Sequence, residues 1–170
     1  SAALADFIYD RLAGALREQG YSAQEIDAVL ALRPQRLGEV PKRLAAVRAF
    51  AALPEAAALA AANKRVGNIL KKAEGQARER IDAALLKEPA EQALAEVLAT
   101  VRAASGQLFD SGEYAASLQE LAALKGPVDA FFDNVMVNAE DPALRANRLG
   151  LLATLHAAMN RVADLSRLAA

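Results

Sequence analysis

The sequence predicts an all-α protein, and three observations carry that prediction. Forty-three of the 170 residues are alanine, the best helix former and small enough to let helices approach closely. Aromatic residues make up only 5%, too few for a β-sandwich core, and no run alternates β-branched with polar residues. Apolar positions instead recur at helical spacing between the prolines and glycines. With 54% hydrophobic residues, a chain of this length can bury roughly 70% of its unfolded surface, enough for a real core.

The first helix is expected from about Leu4 to Gln19, with Gly20 as its stop. Ser22 and Glu25 then form a capping box, opening a second helix that turns Ile26, Val29 and Leu30 inward and ends before Pro34. "LGEVPKRLAAVRAFAAL" starts a third, closed by Pro54. That proline suits the first position of a fourth helix, because the donor it lacks has no partner there anyway. The fourth runs to Ala73 with Leu59, Ala62, Val66, Ile69, Leu70 and Ala73 as its apolar stripe. Lys64, Asn68 and Lys71 line the opposite side, with Arg65 and Lys72 beside them and no acid before Glu74.

Breakers around Gly75 and Pro89 suggest a division into residues 1–75, a sub-bundle with a basic face, and residues 76–170, or else one continuous domain. Pro89 opens a long amphipathic helix. "DSGEYAASLQELAAL" is the next, halted at Lys125-Gly126, and Pro127 begins a helix holding Phe131 and Phe132. "NAEDP" is a turn, and the last helix is expected from Pro142 to near the end. On it Leu144, Leu151, Leu152, Leu155, Met159, Val162 and Leu165 form one stripe, with Arg145 at its edge and Arg148 inside. A charge within an apolar face requires a buried ion pair or a guanidinium capping another helix's carbonyls. Asp129 or Asp133, just across the turn, are the candidate partners.

Net charge is −1, but it is unevenly spread. Residues 33–72 hold nine bases against two acids, a net of +7, while residues 1–32 carry −3 and residues 73–170 carry −5. A concentrated basic segment points to an anionic partner. There is no cysteine, which excludes disulfides, thiolate catalysis and cysteine-bound zinc, and is compatible with a reducing compartment. No run approaches the ~18 apolar residues of a membrane span. The opening "SAALADFIYDRL" is neither a signal peptide nor an initiator Met, so the chain reads as a piece of something longer. His156 is the sole histidine, and no HExxH, glycine-rich phosphate loop or nucleophile elbow occurs. The residues point to binding rather than catalysis.

"ANKRVGNIL" (62–70) and "FFDNVMVNAEDPALRANRLGLL" (131–152), with "FIYDRLAGALREQGYSAQEIDAVLAL" and "RVADLSRL" toward the two ends, resemble the C-terminal region of the β subunits of bacterial tetrameric glycyl-tRNA synthetases. That region ends in a DALR-type anticodon-binding domain, a helical bundle like that of the class Ia arginyl-tRNA synthetases. The resemblance spans essentially the whole chain. In the arginyl relatives an F-N-x-F-Y-like segment precedes an R-x-x-R-L helix, and Phe131-Phe132 and Arg145-x-x-Arg148-Leu149 take those places here. The arginyl P-x-R-M tail is absent; this chain ends "DLSRLAA".

The resemblance implies a tRNA-binding part of a glycine–tRNA ligase, itself without catalytic residues or a bound cofactor. ATP and magnesium would belong to the glycine-activating α subunit. The implied partners are tRNA-Gly, the rest of the β subunit and the α subunit in an α2β2 enzyme; the implied location is cytoplasmic, without a membrane. Single-stranded loops are read by stacking bases on flat side chains and bonding their edges, while cations hold phosphates. Lys64, Arg65, Lys71, Lys72 and Arg145 are accordingly the candidates for backbone and loop contacts. Asn63 or Asn68, Asn134 and Asn147 are candidate edge readers. One of Phe131 and Phe132 (Phe132 as the site candidate) would be a stacking platform and the other core, with Arg148 as the structural charge. The alternative is a subunit-docking domain without direct RNA contact, its basic segment meeting acidic protein.

Overall fold

The helices α1 (Ala2–Glu18), α2 (Ala23–Leu30), α3 (Val40–Ala51), α4 (Ala56–Ala73), α5 (Pro89–Asp110), α6 (Tyr114–Glu120), α7 (Lys125–Asn134) and α8 (Pro142–Met159) follow one another without a strand among the described residues. These come from a computed structural model of the chain that describes residues 1–73, 75 and 77–170. Short 3-10 turns fill in at Leu37–Glu39, Ala83–Leu85, Leu121–Leu124 and Leu165–Leu168. No single helix among the described residues is long and apolar enough to cross a membrane; α3 and α4 pass that test only as a pair bent by 110°.

Local chemistry sets most helix starts where the sequence expects them. Glu25 N–H donates to Ser22 Oγ at 3.1 Å and Ser22 N–H to Glu25 Oε1 at 2.8 Å, the reciprocal capping box at the head of α2. Pro89 and Pro142 stand in the first turns of α5 and α8, and Asp141 Oδ1 accepts from Ala143 and Leu144 N–H at 2.8 and 3.3 Å. Some boundaries differ from expectation. Helix α4 begins at Ala56, and Pro54 lies in the turn before it rather than at its first position, because Ala56 N–H donates to the Leu53 carbonyl at 3.1 Å and closes a tight turn through the proline. Helix α7 begins at Lys125 and takes Gly126 and Pro127 into its first turn, where a proline removes no intrahelical bond. Helix α8 ends at Met159 rather than near the terminus. There Asn160 Nδ2 donates to the His156 carbonyl at 2.8 Å and Asn160 Oδ1 accepts from Leu165 N–H at 3.0 Å. The chain then turns back onto α2, with Asp164 N–H donating to the Ala28 carbonyl at 2.8 Å. Val162 and Leu165 are still buried, though off the helix.

Residues on both sides of position 75 enter one hydrophobic cluster: Leu44, Val47, Phe50, Leu59 and Val66 with Leu94, Leu98, Leu121, Phe131, Leu151 and Leu155. Helix α3 packs on α6, and α4 on α8 and the C-terminal turn. The expected division falls between Glu74 and Gln76, which lie outside the described residues. After it the chain crosses α8 so closely that a Cβ on Gly150 would stand 2.0 Å from the Arg80 carbonyl oxygen; only glycine permits that approach. Helix α1 is different: it buries only Leu16 and leaves Leu4 and Phe7 more than half exposed.

Candidate nucleic-acid interface

Folding redistributes the positive charge of residues 33–72. Arg43 is buried; its Nη1 donates to the Arg161 and Val162 carbonyls at 2.9 and 2.8 Å, its Nη2 to Glu39 at 3.3 Å, and it lies over the Tyr114 and Phe109 rings. Arg48 grips Glu25 through Nε and Nη2 at 2.8 and 2.9 Å. Those bonds hold the Glu25 carboxyl at about 2, against the opposing pull of burial. Arg33 pairs with Asp6, and Arg36 lies 3.8 Å from Glu39. The exposed cations of α4 are otherwise situated. Among the described residues, no carboxylate forms an ion pair with Lys64, Arg65, Lys71 or Lys72.

Helix α4 divides these cations between two sides. Arg65 turns toward α7, its guanidinium carbon 4.1 Å from the centroid of the Phe132 ring. Lys72, Ile69, Ala73, Val137, Asn138, Arg145 and Leu149 line a hollow of about 410 Å³ nearby. Lys64, Asn68 and Lys71, at helical i, i+4 and i+7, border instead a groove of about 810 Å³ shared with His156, Asn160, Asp164 and Arg167. Burial pushes the His156 imidazole below its ordinary pKa, and the Asp164 charge opposes that shift.

The two adjacent phenylalanines have separate fates. Phe131 is wholly buried, whereas Phe132 is partly exposed, its ring set edge-on to Phe131 at 5.5 Å and its face covered by Arg65. A guanidinium lying over a ring is a cation–π stack and offers a flat, charged surface. Asn134 is exposed, with its Nδ2 turned back to the Ala130 carbonyl at 2.8 Å. Asn68 is exposed on α4.

Both arginines of the R-x-x-R element hold the turn between α7 and α8. Arg145 Nη1 donates to the Ala139 carbonyl at 3.0 Å and Arg148 Nη1 to the Met136 carbonyl at 2.7 Å. The turn so held leaves the Met136 side chain 70% exposed. Arg148 also pairs with Glu91 at 3.0 Å. Neither Asp129 nor Asp133 is its partner: Asp129 faces outward and pairs with Lys125 at 2.8 Å, and Asp133 is exposed. Glu91 could have been found by the reasoning applied to Arg148, since it shares the buried face of α5 with Leu94, Leu98 and Val101.

Two of the expected edge readers are withdrawn from the surface. Asn147 is 5% exposed, its Oδ1 accepting from Asp82 N–H at 2.7 Å and its Nδ2 donating to the Asp82 carbonyl at 3.1 Å. An amide so occupied fastens the 78–82 segment to α8 and cannot read a base. Asn63 is buried and exchanges amide bonds with Asn160 at 2.8 and 3.2 Å. Met136, His156 and Arg167 join the candidate surface without any sequence signal of their own. Among the described residues, no His, Asp and Glu side chains gather to hold a metal ion.

A surface of cations that form no ion pair among the described residues, beside a stacked ring on a helical frame, fits the comparisons with known proteins. Over 168 residues the chain is 80% identical to the glycine–tRNA ligase β subunit of Leptothrix cholodnii and 73% identical to that of Janthinobacterium sp. (strain Marseille). It is 71% identical over 169 residues to that of Dechloromonas aromatica. Each match covers 99% of this chain but 24% of the relative, so the chain spans about a quarter of the length of these relatives. Residues 59–165 match the DALR anticodon binding domain, and the chain belongs to that family.

Proposed function

We propose that this chain is the anticodon-binding part of a glycine–tRNA ligase β subunit and that it grips the anticodon stem-loop of tRNA-Gly through α4 and the α7–α8 turn. The observation that carries the reading is the basic face of α4, whose cations form no ion pair among the described residues, set beside the Arg65–Phe132 stack and the hollow at Arg145. Single-stranded RNA needs both components, cations for phosphates and flat groups for bases. An unpaired base would stack on the Arg65 guanidinium or take its place on Phe132. Lys72 and Arg145 would hold the adjoining backbone at the rim of the hollow, and Asn68 and Asn134 would reach base edges. Arg148 would act by fixing the turn that carries Met136, a turn that one nitrogen of Arg145 also holds.

On this reading the chain performs no chemistry and holds no cofactor. Glycine activation, with its ATP and magnesium, belongs to a partner α subunit in a cytoplasmic α2β2 enzyme, and the remaining β-subunit chain orients this module. The test is a titration of the 170-residue chain against a tRNA-Gly transcript and against one with the last two anticodon cytosines replaced, at two salt concentrations. Selective loss on replacement supports anticodon readout; equal, salt-sensitive binding reduces the module to a phosphate holder. Absence of binding removes the reading.

The apolar face of α1, with Leu4, Phe7 and Ile8 exposed, favours a second reading as a docking domain for the rest of the β subunit or the α subunit. Docking through such a face tolerates salt and shows concentration-dependent association, whereas RNA binding weakens steeply with salt.

A further inference from the structure

The groove on the other side of α4 is not used by the stacking surface. Its walls are Lys64, Asn68 and Lys71 on one side and the C-terminal turn, with Asp164, Ser166 and Arg167, on the other. The mutual amide bonds of Asn63 and Asn160 tie these walls together. His156 enters from α8, and its Nε2 stands 3.6 Å from where a Cβ on Gly67 would lie. Gly67 stands three residues after Lys64 and four before Lys71 on the helix, so the imidazole meets α4 on the stretch of backbone between the two lysines, and all three side chains line the one groove.

Besides His156, the charged groups lining the groove come from two elements. Helix α4 contributes Lys64 and Lys71, and the C-terminal turn contributes Asp164 and Arg167. Arg167 is already committed, through Nε to Asp164 at 3.1 Å and through Nη1 to Asp27 of α2 at 3.2 Å. Asp164 is further occupied by the N–H and hydroxyl of Ser166 at 3.1 and 2.6 Å. The groove therefore retains two lysines without carboxylate partners and one imidazole among the described residues. That set is suited to an anion of a single phosphate's size.

We infer that this groove is a second RNA contact, a site for a backbone phosphodiester flanked by Lys64 and Lys71 and bonded by His156, separate from the stacking surface at Arg65 and Phe132. The inference rests on the RNA-binding reading above. Seating a phosphate between the lysines adds a negative charge beside His156 and favours its protonated form. Affinity then rises as pH falls through the imidazole's titration range.

The experiment uses the fact that His156 is the only histidine, so one imidazole signal reports the site. Its NMR titration is followed from pH 5 to 8.5, values bracketing the ordinary ~6.5, in the free chain, with tRNA-Gly transcript and with inorganic phosphate. The expected result is a midpoint raised by about one unit with transcript. By linkage this corresponds to about tenfold tighter transcript binding at the acid end than at the alkaline end. His156→Gln abolishes that pH dependence while the circular dichroism spectrum stays native. In Lys64→Gln/Lys71→Gln the midpoint no longer moves. Transcript binding with an unmoved His156 midpoint overturns this site alone. A shift with phosphate but not with transcript also overturns it, leaving a small-anion site. No transcript binding in any arm overturns the RNA reading and this site with it.

Discussion

Arg148 Nη2 donates to Glu91 Oε1 at 3.0 Å, with the arginine 6% and the glutamate 0% exposed, so α5 and α8 are joined by an ion pair inside the apolar core. Glu91 Oε1 also accepts from Glu88 N–H at 3.0 Å at the head of α5, and Arg148 reaches on to Met136. One contact thus ties a helix start, a helix middle and the α7–α8 turn. Such a pair contributes little net stability when intact, because desolvation cancels much of the attraction; breaking it strands a charge. Arg148 Nε and Glu91 Oε2 already lack hydrogen-bond partners among the described residues, so there is little spare bonding to absorb the loss.

Arg148→Ala is therefore expected to destabilise the fold by roughly 3–5 kcal/mol, and the double change Arg148→Met/Glu91→Leu by much less. Urea unfolding of the single and double variants measures both. A normally stable Arg148→Ala protein that merely binds RNA poorly would contradict this structural role.

Arg148 also shows where sequence reading succeeds and where it stops. Its position inside the α8 stripe was enough to demand a buried partner, because helical period alone fixes which face a residue takes. The choice of partner was a long-range fact, set by how α5 packs on α8, and sequence proximity pointed to Asp129 and Asp133 instead. The same division holds for the interface. The basic face of α4 was legible from spacing, and so was the separation of Phe131 from Phe132. That Arg43 and Arg48 are consumed by internal bonds was not legible, and neither was the pairing of Asn147 with Asp82, 65 residues away. The apolar stripe of α8 continues past the helix end because the polar group that ends it, Asn160, draws its partners from Leu165 and from Asn63 on another helix.

Glycines on α4 and α8 should respond oppositely to the same substitution. Gly67→Ala places a methyl group 3.6 Å from His156 Nε2, an ordinary contact, and removes helix-interior flexibility, so it should stabilise by roughly 0.5–1 kcal/mol. Gly150→Ala places the methyl against the Arg80 carbonyl and must push the 78–80 segment off α8, straining the neighbouring Asn147–Asp82 bonds. A loss of about 3 kcal/mol is expected. Thermal unfolding of the two variants decides, and a neutral Gly150→Ala would refute the close approach.

Acid should expose the Glu25–Arg48 pair. Arg48's hydrogen bonds hold the Glu25 carboxyl at about 2, below its ordinary 4.5. A depressed folded-state value makes the contribution complete above the unfolded value and lost as pH falls from 4.5 toward 2. Glu25→Gln should therefore flatten the stability profile between those limits and leave its slope above pH 6 unchanged. An identical acid limb in the variant would remove the pair from the acid response. Arg48 is half exposed, so added salt should reduce the difference.

Stacking and phosphate contact leave different signatures, which lets the two halves of the α4 surface be tested separately. Phe132→Leu keeps an apolar group against Phe131 but removes the ring beneath Arg65, and Arg65→Gln removes the guanidinium plane. Each should weaken RNA binding about tenfold, the scale of one lost stacking contact. Phe132→Leu should do so without changing the salt dependence, since no charge is altered. Lys64→Gln/Lys71→Gln should instead weaken binding to every anticodon alike. It should also lower the slope of log affinity against log salt by about 1.4, the value for two released phosphate contacts on single-stranded RNA. Affinities at three salt concentrations separate the cases. If Phe132→Leu changed the slope while the lysine pair did not, the cations would be bystanders and the ring would act through the position of Arg65, placing the dominant phosphate contact at the guanidinium itself.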